Sequence, residues 1–120
     1  MEFKNHKPIL VQIAEHICDE ILSGKYHEGE RLPSVREYAA EVEVNVNTVV
    51  RSFEWLSQKD IIASRRGMGY YVGQGATELI RQGLRETFFS EKLPDFIAQM
   101  QKLDIKVEEM EKVLKDLLIS

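Results

Sequence analysis

Ile9, Ile13, Ile17 and Ile21 recur at four-residue intervals, and Ala14 and Leu22 widen the stripe they form. That spacing lines one face of an amphipathic helix, so residues 8–23 are predicted helical. Pro8 suits a first helical turn, where its missing N–H has no partner to lose, and Gly24 suits the C-terminal cap. "KYHEGERLP" then connects; Gly29 is a turn residue, and Glu30–Leu32 is long enough for one very short strand. "SVRE" at 34–37 announces a second helix, about 34–41. Ser34 can accept from the Glu37 amide while the Glu37 side chain reaches back to the Ser34 amide, the reciprocal arrangement of a capping box. Val35, Tyr38, Ala39 and Val42 form the inner side of that helix.

Asn45 is a good N-cap for a third helix, about 46–58. Val49, Phe53 and Leu56 fall on one arc of it, within about 60° of each other at 100° per residue. Asn47, Thr48 and Arg51 fall on the opposite arc. The helix is thus anchored by an apolar back and offers amide, hydroxyl and guanidinium groups in front. Trp55 lies toward the polar arc, packed beneath the hairpin that follows or, as the lesser alternative, stacked on the sugar–phosphate flank of a nucleic acid.

Residues 60–73, "DIIASRRGMGYYVG", change the period. Ile61-Ile62 and Tyr70-Tyr71-Val72 are strand formers, and Arg-Arg-Gly-Met-Gly between them is a glycine-bearing turn, so the segment reads as a β-hairpin. From Ala76 the pattern is helical again. Leu79, Ile80, Leu84, Phe88 and Phe89 make a stripe as far as Ser90. Pro94 marks the start of a new helix, "LDIK" a break near Asp104, and Val107 through Leu118 a last helix.

Composition narrows the class. With 120 residues, 43% hydrophobic and 30% charged, the chain suits one globular domain with a small appendage. No apolar run approaches the ~20 residues that cross a bilayer, and no secretory signal opens the chain, so no membrane partner and a cytoplasmic location are expected. Cys18 is the sole cysteine and sits in an apolar helical stretch, as a small core residue would. His6, His16 and His27 lack metal-ligand spacing, and no P-loop, carboxylate pair or nucleophile constellation appears. Neither an enzyme, a metal site nor a cofactor is indicated.

Net charge is −4, and neither half of the chain is basic overall. Placement outweighs the sum, because a local basic surface acts within a Debye length of about 8–10 Å. Three helices and a hairpin are the order of a winged helix-turn-helix. In that architecture the second helix crosses the DNA backbone, the third enters the major groove and the hairpin wing touches the flank. The fold class is therefore mainly α with a small β-hairpin: a winged helix-turn-helix over residues 1–74, then a helical tail over 75–120.

In this arrangement Asn47 and Thr48 reach base edges or phosphates, and an asparagine amide matches the N6/N7 edge of adenine. Arg51, one turn on, suits a phosphate; Arg36 can clamp one bidentately. Arg65, Arg66 and Gly67 stand at the wing, where arginine suits a narrow minor groove. Asn45 taken alone is better explained by its capping role than by a DNA contact.

The segments "PILVQIAEHICDEILSG" (8–24), "GERLPSVREYAAEVEVNVNTVVRSFEWL" (29–56) and "RRGMGYYV" (65–72) together resemble the GntR family of bacterial transcription regulators. The short helical tail is similar to that of its YtrA subfamily, which uses a few helices chiefly for dimerisation. The resemblance implies double-stranded DNA as partner, with Arg36, Asn45, Asn47, Thr48, Arg51, Arg66 and Gly67 at DNA-contacting positions, and repression of a nearby operon. Where family members commonly carry arginine between the two asparagines, this chain has Val46. Valine cannot donate to guanine but can pack on a thymine methyl, so an A·T-leaning operator is expected.

The tail carries more apolar surface than a small winged helix covers. Leu84, Phe88, Phe89, Phe96, Ile97, Met100, Leu103, Val113, Leu114 and Leu117 either fold back on their own domain or pair two copies. A homodimer matches pseudo-palindromic operators and doubles the phosphate contacts of an acidic protein. Pro94 and the break near Asp104 favour a compact helical bundle over a heptad coiled coil. A small-molecule effector, of no identity that the residues name, would lie between tail and winged helix or at the dimer interface. The competing reading is a winged-helix protein-interaction module that never meets DNA.

Overall fold

The computed structural model describes Phe3 and residues 6–119. Helix α1 (Ile9–Leu22) buries Ile13, Ala14, Ile17 and Ile21. Pro8 is its N-cap rather than a first-turn residue, and its carbonyl accepts from Val11 and Gln12. Gly24, at φ +88°, supplies the left-handed turn after the last helical residues. Helix α2 (Val35–Val42) opens on the predicted capping box: Glu37 N–H donates to Ser34 Oγ and Ser34 N–H to Glu37 Oε1, both at 3.1 Å. Glu43 ends it in a left-handed conformation, φ 58°.

Helix α3 (Val46–Gln58) starts at Asn45, whose Oδ1 accepts from Asn47 N–H at 2.8 Å. Val49, Ser52, Phe53 and Leu56 are buried. Phe53 is the joint of the domain. Its ring meets Tyr70 edge-on at 5.0 Å and Tyr38 at 6.1 Å, so one side chain ties the third helix to both the second helix and the wing.

The wing is formed by β1 (Ile62–Arg65) and β2 (Gly69–Val72), antiparallel, with Ile62 opposite Val72 and Arg65 opposite Gly69. The short strand expected at 30–32 is reduced to a bridge between Arg31 and Tyr71. Leu32 N–H donates to Tyr70 O at 2.8 Å and Val72 N–H to Glu30 O at 2.9 Å. Pro33 stops the ladder there, because it has no N–H to extend it. Strand β2 is therefore hydrogen-bonded on both sides.

Contacts group the chain into two compact units, one as far as Gln82 and one from Gly83. In the first, Ile13, Ile17, Tyr38, Phe53, Leu56, Ile62 and Val72 form one continuous core. Helix α4 (Ala76–Thr87) contributes Ala76 and Ile80 to it. Burial of each large apolar side chain stabilises by roughly 1.5–3 kcal/mol.

The second unit holds α5 (Leu93–Lys102) and α6 (Val107–Ile119). The helix start expected at Pro94 is present, with Pro94 in the first turn of α5, but the chain does not break before it. The backbone stays helical through a π turn, Phe88–Lys92, in which Leu93 N–H bonds to Phe88 O. In a regular helix the Pro94 ring would strike the Ser90 carbonyl, and the wider turn relieves that clash. The break expected near Asp104 is present: Asp104 adopts φ 55° and Ile105 N–H reaches back to Met100 O.

Candidate nucleic-acid interface

One stripe of α3 faces outward. Asn47, Arg51, Glu54 and Gln58, spaced i, i+4, i+7 and i+11, are all exposed. Thr48 sits on the flank of the stripe and is half-buried. Val46 is half-buried and packs against the core. Trp55 also packs on the core, and Lys59 Nζ covers its ring at 4.4 Å.

The back of the stripe is held rigidly. Ser52, fully buried, donates from Oγ to Leu10 O at 2.7 Å and lies 3.0 Å from Thr48 O in its own helix. Helix α2 is pinned separately: Tyr38 donates from its hydroxyl to Glu20 Oε1 at 2.7 Å, and Lys25 bridges Glu20 at 2.8 Å and Glu41 at 3.1 Å. Burial, reinforced by the Glu20 carboxylate, pushes the Tyr38 phenol well above its ordinary value, so it remains a donor.

Exposed arginines stand on α2, α3 and the wing. Among the described residues, ion pairs engage Lys7, Lys25, Arg81, Lys106, Lys115, His16 and His27, and none engages Arg36, Arg51, Arg65 or Arg66. All four guanidinium groups belong to exposed residues. An arginine that forgoes surface carboxylates keeps its donors free for phosphate oxygens. The Arg65 guanidinium lies over the Tyr71 ring, 4.0 Å from its centroid, which orients that arginine along the wing. The tip is Arg66-Gly67-Met68, closed by Met68 N–H to Arg65 O at 2.8 Å, with Gly67 at φ +72°.

Arg31 is a fifth free guanidinium that sequence reasoning passed over. It is exposed, forms no ion pair among the described residues, and runs beside the wing. A β-carbon placed on Gly69 would come within 3.3 Å of Arg31 Nε. The available signal was the alternation in "GERLP", which turns Leu32 inward and Arg31 outward; pairing to β2 is what brings it to the wing.

Other candidate chemistry is absent from this surface. Burial, helped by Asp19 and Glu15, raises the Cys18 thiol to about 12, so it stays protonated and inert. No cluster of three metal-ligating side chains occurs among the described residues, and no helix there is long and apolar enough to cross a membrane. In the tail unit the apolar side chains singled out from sequence are exposed, from 43% at Ile97 and Val113 to 74% at Leu117, apart from half-buried Met100. Phe88 and Phe89 stack edge-on at 5.3 Å yet remain open to solvent.

Residues 10–72 match the model of the bacterial regulatory proteins of the gntR family. The chain is 35% identical over 109 residues to the HTH-type transcriptional regulator YhcF of Bacillus subtilis, covering 91% of this chain and 88% of that protein. It is 29% identical over 114 residues to the HTH-type transcriptional repressor YtrA of the same organism, covering 95% and 87%. The crystal structure of a GntR-family transcriptional regulator from Bacteroides thetaiotaomicron superposes with a TM-score of 0.81 at 44% identity, covering 91% of this chain and 96% of that one. The chain belongs to the GntR family of DNA-binding transcription regulators, in its YtrA-like branch, and is not an enzyme.

Proposed function

We propose that the protein is a repressor that binds a pseudo-palindromic operator as a homodimer, with α3 in the major groove and the wing, residues 65–69, at the flanking minor groove. Residues 1–74 act as the DNA-binding domain and residues 75–120 as the dimerisation tail. The observation that carries this reading is the outward stripe of α3, with Asn47 and Arg51 exposed and Arg36, Arg51, Arg65 and Arg66 free of ion pairs among the described residues. Arg36 and Arg51 take phosphates, Asn47 and Thr48 work at base edges, Asn45 caps the helix between them, and Arg66 with Gly67 enters the minor groove. The exposed apolar side chains of α4, α5 and α6 support the pairing of two tails, since a monomer rarely leaves so many large apolar side chains to water. The repressor assignment follows the likeness to YtrA of Bacillus subtilis.

Selection of operators from a random duplex pool, followed by anisotropy titration at two salt concentrations, tests the reading. A twofold-symmetric consensus bound with a steep salt dependence is expected. A purified dimer that selects no sequence and shows no binding at low salt would instead mark a protein-interaction module.

A further inference from the structure

Glu54 is the odd member of the outward stripe. It lies three residues beyond Arg51 and seven beyond Asn47, about 10 Å along the helix axis from Asn47 at 1.5 Å per residue. It is exposed, and among the described residues it makes no hydrogen bond or ion pair. The neighbours that would neutralise it do not. Arg51 stays unpaired, and Lys59 is turned over the Trp55 ring. A carboxylate with no internal partner therefore stands in the middle of the surface offered to a polyanion.

Facing phosphates, it weakens binding through like-charge repulsion. Facing base edges, its fate depends on the donors it meets, because an ionised carboxylate only accepts. In the major groove the donors are the exocyclic amines of cytosine and adenine. Adenine carries an acceptor, N7, beside its amine, and a carboxylate is repelled there. Cytosine shows the amine with no neighbouring acceptor of its own. We infer that Glu54 is a specificity-determining residue, accepting from the N4 amine of one cytosine in each half-site and discriminating against the other three bases at that position. This rests on the placement of α3 in the major groove proposed above. It also revises the expected operator: a fixed C·G pair lies toward the far end of the stripe, where Val46 and the asparagines alone suggest A·T.

The test compares operator selection by the wild-type chain and by the Glu54→Ala and Glu54→Gln variants. Affinities are then measured for the selected operator and for the same operator with that cytosine replaced by thymine in both half-sites. The wild type is expected to fix one cytosine per half-site and to prefer the cytosine operator by about 25-fold or more, since two mismatches of at least about fivefold each are introduced, one per half-site. Glu54→Ala is expected to bring that ratio close to one while tightening binding to unrelated duplex. Alanine is a strong helix former at an exposed position, so the fold is retained, and circular dichroism with an unchanged melting midpoint checks this. Sequence-specific selection by the wild type with the same consensus and ratio in both variants overturns the role of Glu54 alone. A wild-type chain that selects no sequence overturns the groove placement itself, and this inference with it.

Discussion

The hydroxyl of Ser52 donates to the carbonyl oxygen of Leu10 across 2.7 Å, joining the concealed back of α3 to the first turn of α1. Ser52 has no exposed surface, and its small size lets the two helices close on each other. Replacing it with alanine removes a buried hydrogen bond and is expected to cost about 1 kcal/mol. Valine in its place adds two methyl groups to a full interface and costs about 1–3 kcal/mol more. Urea denaturation of both variants checks the order: wild type, then alanine, then valine.

Glu28 ties the connection after α1 to the start of α4. Its carboxylate accepts from Gly75 N–H at 2.7 Å and Thr77 N–H at 3.3 Å. The Gly75 amide, followed by Thr77, holds this carboxyl below its ordinary value. The unfolded chain therefore binds this proton more readily than the folded one. The stabilisation is complete above the ordinary carboxylate value and is lost as pH falls through the depressed one. Thermal melting of wild type and Glu28→Gln should differ at neutral pH, and the gap should close in acid.

The same glycine-to-alanine change should act oppositely at two sites. A β-carbon on Gly73 would lie 2.8 Å from the Asp60 carbonyl oxygen, backbone that cannot swing aside, so Gly73→Ala is expected to destabilise by about 1–3 kcal/mol. Gly83 lies within α4 with nothing within 4 Å of such a carbon. Gly83→Ala should stabilise by about 0.5–1 kcal/mol through the lower entropy of the unfolded chain. Calorimetric midpoints that move in opposite directions meet this expectation.

Arg31 and Arg36 should reveal themselves in salt dependence rather than in base preference. Each substitution to alanine is expected to remove one phosphate contact per protomer. The slope of log affinity against log salt should then shallow by about 0.9 for each contact, or about 1.8 for a dimer. The selected consensus should stay the same. An unaltered slope for Arg31→Ala would remove that residue from the interface.

The tail predicts its own result. Phe96 and Leu114 are each more than 40% exposed, so Phe96→Asp or Leu114→Asp should leave the protomer folded. Sedimentation should show a shift from dimer to monomer, and operator affinity should fall because two half-sites are no longer bound as a unit.

Much of this was legible in one dimension. The four-residue repeat of isoleucines, the Ser34–Glu37 box and the Asn45 cap each specify local structure through interactions a few residues long, and all appear where expected. So does the glycine turn between two β-rich runs. The junction before Pro94 was hidden, because a proline marks a helix start without revealing whether the backbone ahead of it breaks or widens into a π turn.

What the chain determines by itself is which face of each helix is apolar and where each helix begins, since periodicity and capping are local. Tertiary structure alone decided that Arg31 stands beside the wing, that Val46 leans inward, and that Lys59 turns to Trp55 while Glu54 stays unpaired. These depend on contacts between residues distant in sequence or on competition among neighbours for one partner. No period along the chain encodes either, because both are settled only when the core closes and each charged group finds water, a partner or neither.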